Sequence, residues 1–352
     1  MMDTVAIVDT SICTDNLGDE IIMDAVNSVV WDLFPNAYVL RVPSHESLSD
    51  RTRKFVRQAD WCFIGGTNLL SSKITALGLW RLDRLAAAAY GSTRTVCLGT
   101  GWNKYMSEAT PGTRALLRTA LSPELTHAVR DSYTTSHLEK VGLKAVTTSC
   151  MTTWSLTPEH CSTIPAKRAS SVVFTLSAWH PDAAADRAFV EVLRRRYKRV
   201  TFFSQMQNDY DYFRQFGWDD ISVAAVTTEA YNHFLENEDV DFVGTRLHGG
   251  IRAMQKGRRA LILAIDNRAT ELGKDTGLPV LQRTDTAGIE AWLDREEPIR
   301  PKLPEAAINS WKAQFRGEAA AAVPKPAPIA EPSLPRHLSR LKRAVSRVYS
   351  PA

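Results

Sequence analysis

The chain has 352 residues, 44% of them hydrophobic and 23% charged, a globular balance whose length exceeds one ordinary core, so two domains of roughly 150 residues are expected. No apolar run approaches the roughly 20 residues that span a bilayer, and Met1-Met2-Asp3 leads straight into Val5-Ala6-Ile7-Val8, too short for a signal segment, so a cytoplasmic protein is expected. The formal charge is +4, but Arg336, Arg340, Lys342, Arg343 and Arg347 stand in 333–352 without an acid; taking those five from +4 leaves the body at −1, which argues against a general nucleic-acid surface.

Short β-branched runs alternate with helical patterns along the chain. Strands are expected at Val5–Asp9, Ala37–Val42, Asp60–Ile64, Arg94–Leu98 and Thr126–Val129, then at Ser171–Leu176, Arg199–Phe203, Asp241–Val243 and Ala260–Ile265. Such alternation predicts parallel sheets with crossover helices. Between the first two strands, Ile22, Ala25, Val26, Val29, Val30 and Leu33 recur at helical spacing, predicting a helix from near Asp19 to before Pro35. The polar, proline-bearing stretch at 155–170 separates the two series, giving domains at 1–158 and 165–300. A closing helix is expected over 301–316. Residues 317–335, rich in alanine and proline, read as an extended or disordered linker. In 336–352, Leu338, Leu341, Val345 and Val348 share a helical face apart from the arginines. That pattern predicts a basic amphipathic tail, suited to docking on an anionic membrane surface; docking on another protein, or a disordered solubilising end, stays open.

The five cysteines, Cys13, Cys62, Cys97, Cys150 and Cys161, include no C-x-x-C pair, so free thiols are expected rather than disulfides or a metal cage.

In open α/β sheets, ligands bind where loops leave the carboxyl ends of strands beside helix amino termini. Four segments occupy such positions: Asn16-Leu17-Gly18-Asp19-Glu20, Gly65-Gly66-Thr67-Asn68, Gly99-Thr100-Gly101 and Thr245-Arg246-Leu247-His248-Gly249-Gly250. The last carries the most chemistry. Arg246 offers a fork of donors matched to carboxylate or phosphate, His248 is a proton-transfer group, and Gly249-Gly250 lets backbone approach a ligand. A pairing of Arg246 with a nearby carboxylate, with His248 as a mere helix cap, is the plainer reading of the same residues. Asp19 reads equally as a helix N-cap, Gly65-Gly66 as a tight turn, and Arg130-Asp131 as a surface ion pair. Gly99-x-Gly101 lacks the third glycine of a dinucleotide fingerprint.

Taken in order, Asn-x-Gly-Asp (16–19), Gly-Gly (65–66), Gly-x-Gly (99–101), Arg-Asp-x-x-Thr (130–134) and Arg-Leu-His (246–248) resemble the polysaccharide pyruvyl transferase family. The resemblance implies two Rossmann-like doubly wound domains facing a cleft, in a glycosyltransferase-B-like arrangement. It implies phosphoenolpyruvate as donor substrate, a glycan or lipid-linked glycan as acceptor, and neither metal nor cofactor. Carried over, Arg130 and Arg246, with Leu247 and Gly249, would bind the donor, and His248 would protonate the enol as a pyruvate ketal forms. The amino-terminal domain would hold the acceptor through Asn16, Asp19, Gly65, Gly66 and Asn68. The chain departs from the family's pattern at Thr67-Asn68, where a third glycine and a serine are common, and at Met151, where proline is usual.

Two other functions stay open. A nucleotide-sugar glycosyltransferase of the same architecture would want an acid on the ribose, and Glu271 stands near the right loop; the paired glutamates of retaining members are missing, since Asn237 stands eight residues after Glu229. A non-catalytic carbohydrate-binding relative would leave Arg246 and His248 idle.

Overall fold

A computed structural model describes residues 2–224 and 226–330; the basic tail 336–352 lies outside the described residues. The first sheet contains β1 (Thr4–Asp9), β2 (Tyr38–Pro43), β3 (Trp61–Gly65), β4 (Arg94–Thr100), β5 (His127–Val129) and β6 (Ala145–Thr147) in the order β2-β1-β3-β4-β5-β6. The second contains β7 (Ser171–Thr175), β8 (Arg199–Phe202), β9 (Ser222–Val223), β10 (Val240–Gly244), β11 (Ala260–Ala264) and β12 (Val280–Gln282) in the order β12-β11-β10-β7-β8-β9. Every pairing is parallel. The two doubly wound α/β units expected from the sequence are therefore present.

Strands β3, β7, β10 and β11 are buried at every residue, because helices cover both faces of a parallel sheet and leave no solvated side. All nine expected strands form. The three additional ones, β6, β9 and β12, are two- or three-residue sheet edges whose half-solvated side chains carry no apolar run. Gly99 and Thr100, expected in a loop, belong to β4, where the register against β5 shifts between Leu98 and Thr100.

The first long helix runs from Leu17 to Leu33. It begins before Asp19 because Asn16 is its cap, the Asn16 Oδ1 accepting from Gly18 N at 3.1 Å. Its apolar face, Ile22, Val26, Val29, Val30 and Leu33, packs with Trp61, Phe63 and Val96.

The closing helix, Glu305–Ala313, returns to the first sheet. Trp311 meets Phe63 edge-on at 6.3 Å between centroids, Phe315 meets Trp61 edge-on at 5.3 Å, and Gln314 bonds both backbone groups of Thr126 at 3.0 Å. The linker expectation for 317–335 needs correction over its described part. Gly317–Ala322 is helical, in keeping with its alanine run. The following residues are then fastened to the first half: Arg94 Nε donates to Val323 O at 2.7 Å, Lys325 Nζ to Gln58 O at 2.9 Å, and Ile329 N to Ser92 Oγ at 2.9 Å. No helix among the described residues is long and apolar enough to cross a membrane.

Candidate functional site

Strand order reverses between β1 and β3 in one sheet and between β7 and β10 in the other. Loops leaving adjacent carboxyl ends diverge at such switch points and open a crevice. The two crevices share a cleft of about 620 Å³ between the halves, with Asn16, Asp19, Thr67 and Asn68 on one wall and Trp179, Asp266 and Arg268 on the other. The walls are tied together at several points. Leu17 N donates to Gln205 O at 3.1 Å, Gln205 Nε2 to Asn16 Oδ1 at 2.9 Å, and Tyr105 OH to Glu271 Oε1 at 2.7 Å.

Arg268 lines the cleft, while Arg130 and Arg246 are buried behind its lining residues Asn68 and Trp179, and each of the three is backed by an aspartate. Arg130, 1% exposed after β5, donates from Nε to Asp131 Oδ2 at 2.9 Å and from Nη1 to Asn68 Oδ1 at 2.7 Å. It fits because residue 101 is glycine; a Cβ there would fall on the Arg130 guanidinium. Arg246, directly after β10, grips Asp209 with Nε at 2.8 Å and with Nη2, and its guanidinium lies 5.0 Å from the centroid of the Trp179 ring. Arg268 reaches Asp266 Oδ2 from Nε at 2.9 Å and Nη2 at 2.5 Å. Two-point pairing holds each planar fork while desolvating both charges, and only Arg246 meets both oxygens of its aspartate. Nη1 of Arg246 and Nη1 of Arg268 have no protein acceptor among the described residues.

His248 is the second residue of the helix Leu247–Gln255, whose cap position is Arg246. It is 6% exposed, and its Nε2 lies 3.7 Å from Cys150 Sγ. Burial, then the cations of Arg268 and Arg130, push its pKa down to about 3, with Asp266 opposing. The imidazole is therefore neutral at neutral pH.

Asn16, Asp19 and Asn68 come together along the cleft. Asp19 does not cap its helix; it accepts from Thr14 Oγ1 at 2.9 Å. Gly65 and Gly66 pack instead against the helix Leu17–Leu33, with Gly66 at φ +56° over Ile22. Leu247 belongs to the second core, and Gly249 lies under Gln205 and Phe242. The Arg130–Asp131 pair is buried rather than on the surface. Sequence reasoning passed over Asp266 and Arg268, although they follow β11 as Arg246 follows β10 and were open to the same rule. Tyr105, Trp179 and Cys150 gave no such signal.

Backbone strain gathers at the same end of the first sheet. Among the described residues the non-glycine positive φ angles are at Cys13 (55°), Thr67 (43°), Lys104 (62°) and Ser149 (67°), in loops following β1, β3, β4 and β6. A β-branched residue in the left-handed region is costly. Thr67→Gly should therefore stabilise the fold by about 1 kcal/mol, seen as a raised Tm; an unchanged or lowered Tm would show that Thr67 carries no strain.

A family model described as polysaccharide pyruvyl transferase matches residues 16–232, a span that includes Asn16, Asp19, Asn68 and Arg130 and ends before Arg246. Among solved structures, the chain is similar to a UDP-GlcNAc 2-epimerase from Methanocaldococcus jannaschii in complex with UDP-GlcNAc and UDP, at 10% identity and a TM-score of 0.51, covering 85% of this chain and 95% of that one. It is likewise similar to a putative UDP-N-acetylglucosamine 2-epimerase from Listeria monocytogenes, at 12% identity and a TM-score of 0.51, covering 93% and 98%. At these identities the likeness concerns the fold. No curated protein matches the chain.

Proposed function

The chain belongs to the polysaccharide pyruvyl transferase family, and from that premise we propose that it moves the pyruvate unit of phosphoenolpyruvate onto two hydroxyls of a sugar in a cell-surface polysaccharide or its precursor, as a ketal, releasing phosphate. The observation that carries this reading is the placing of three arginines and His248 about the cleft: Arg268 lines it, Arg130 bonds its Asn68, Arg246 lies against its Trp179, and His248 feels the charges of Arg268 and Arg130. A ligand bearing both a carboxylate and a phosphate needs more than one cationic fork, and charge-assisted contacts are roughly twice as strong as neutral ones. Arg246 and Arg268, each held from behind by an aspartate, keep Nη1 for a ligand. His248 supplies the proton for the donor's methylene carbon. Asp19, Asn16 and Asn68 face the acceptor, and the exposed rings of Tyr105 and Trp179 at the mouth suit a sugar face.

A nucleotide sugar is the competing donor. The acid it would want on its ribose, Glu271, already accepts a hydrogen bond from Tyr105, which favours the first reading. Thermal stabilisation separates the two, since a ligand at 100 times its Kd adds about 2.7 kcal/mol to the folded state. Phosphoenolpyruvate should raise Tm and UDP-sugars should not; the opposite pattern would favour a glycosyltransferase.

The basic composition of 336–352 adds a peripheral membrane contact to this proposal, placing the enzyme beside a lipid-linked acceptor. Vesicles containing anionic lipid should retain the full chain and release a form lacking 333–352. Equal retention of both would count against the contact.

A further inference from the structure

Buried carboxylates in this fold come with cations. Asp9 meets Arg41 at 3.2 Å, Asp131 meets Arg130 at 2.8 Å, Asp186 meets Arg283 at 3.2 Å, Asp209 meets Arg246, Asp241 meets Arg259 at 3.2 Å, and Glu271 meets Lys274 at 4.0 Å. Asp19, 7% exposed, is the buried carboxylate among the described residues with no ion pair within 4 Å. Capping does not account for it, because Asn16 holds that place. Its placement in the first helical turn favours negative charge only modestly, and an uncompensated buried charge weakens a fold. Asp19 fronts the cleft beside Asn16, Asn68, His45 and Arg268.

We propose that Asp19 is the base that takes the proton of the acceptor hydroxyl as its oxygen bonds to C2 of the donor; the assignment rests on the pyruvyl-transfer reading above. In the first addition, the C2–O bond forms, the hydroxyl proton passes to the Asp19 carboxylate, and the C2=C3 electron pair takes a proton from the His248 imidazolium. In the second, the bond from C2 to the phosphate oxygen breaks, the departing phosphate takes the proton from Asp19, and the second hydroxyl bonds to C2 while its proton passes to His248. Both residues end as they began. The two hydroxyl protons account for the new methyl hydrogen and the proton on phosphate.

The electrostatics suit the task. Burial pushes the Asp19 carboxyl up to about 6, while the Thr14 hydroxyl, the Asn16 side chain, His45 and Arg268 pull it down. It is thus ionised at neutral pH and more basic than an ordinary carboxylate. Because its folded pKa lies above its unfolded one, the ionised form costs stability above about pH 6, and that cost disappears as pH falls through 6 toward 4.

The test uses the full chain, wild type against Asp19→Asn, with phosphoenolpyruvate and a panel of nitrophenyl glycosides. Asp19→Asn should bind phosphoenolpyruvate as the wild type does and lose about 10²- to 10⁴-fold in kcat. It should also lose the acid limb near pH 6, and Asp19→Glu should restore part of the rate and the limb. The Tm of Asp19→Asn should exceed the wild type's at pH 8 and converge with it toward pH 4, as removal of a buried charge requires; the kcat and its acid limb report the base role. A variant within threefold of wild-type kcat overturns the role of Asp19 and leaves the donor reading standing. A wild type that neither binds phosphoenolpyruvate nor releases phosphate from it overturns that reading and the assignment with it. If the wild type binds phosphoenolpyruvate but uses no glycoside, the same kcat comparison with lipid-linked glycans decides: a loss of about 10²-fold or more supports the base, and a kcat within threefold of wild type overturns it.

Discussion

Replacing His248 with alanine is expected to lower kcat by about 10²- to 10⁴-fold, with little change in donor KM, and to abolish the proton that the wild type takes up when phosphoenolpyruvate binds. In the free protein the imidazole is neutral, because burial and the Arg268 and Arg130 cations hold its pKa at about 3. A neutral imidazole has no acidic proton for the methylene carbon, so donor binding must draw one from solution. Half-protonation at pH 7 asks for a shift of about four units, or roughly 5 kcal/mol of coupling at 1.36 kcal/mol per unit. Each nearby opposite charge supplies about one to three units, and the donor carries two anionic groups. Calorimetry of phosphoenolpyruvate binding near pH 7, in buffers of different ionisation enthalpy, should report about half a proton taken up by the wild type and none by the alanine variant. Affinity should weaken as pH rises, because binding is coupled to proton uptake. Equal uptake in both proteins would remove His248 from the acid role.

His248 also bears on acid stability. Its folded pKa lies below the unfolded value of 6.5, so the stability linked to its neutral form is present above that value and lost as pH falls through 6.5 toward 3. His127, buried and held at about 4, loses stability in the same direction.

Arg246→Lys should raise donor KM by roughly 10- to 100-fold with little change in kcat, the effect of losing a hydrogen bond to charged groups worth about 1.5–3 kcal/mol. Lysine keeps the charge but not the fork that Nε and Nη2 present to Asp209 while Nη1 has no protein acceptor among the described residues. Arg246→Ala goes further, because it leaves the fully buried Asp209 without its cation, with only the backbone N–H groups of Ala178 and Met206 donating to it, a loss of about 3–5 kcal/mol in folding stability. Asp209→Asn in the alanine background should recover stability without recovering donor affinity. A lysine variant with lowered Tm and unchanged donor KM would make Arg246 a structural residue alone.

The sheets were legible in the sequence because central parallel strands are largely apolar, and eight such runs, with the half-solvated edge strand β2, stand between helical patterns. Edges are different: β6, β9 and β12 need only two or three paired residues and carry no pattern of their own. The candidate residues stand at strand ends, where βα loops deliver side chains, so their general location could be read from order alone. Their partners could not. Asp209 lies 37 positions from Arg246, and Cys150 lies 98 from His248; such meetings are properties of the packed fold. Asp19 shows the same limit at short range, since an aspartate ahead of an amphipathic helix reads as a cap until Asn16 is seen to hold that place. Residues 317–330 carry the composition of a linker, and only the approach of Arg94, Gln58 and Ser92 shows that the segment is bound.

We propose phosphoenolpyruvate as the chain's donor and a pyruvate ketal as its product. Incubating the full chain with phosphoenolpyruvate and lipid-linked glycans, while following phosphate release and glycan mass together, tests it most directly. The expected result is one phosphate per glycan modified, with the glycan heavier by one pyruvic acid less one water. Glycan extension from a UDP-sugar, with phosphoenolpyruvate left intact, would contradict it.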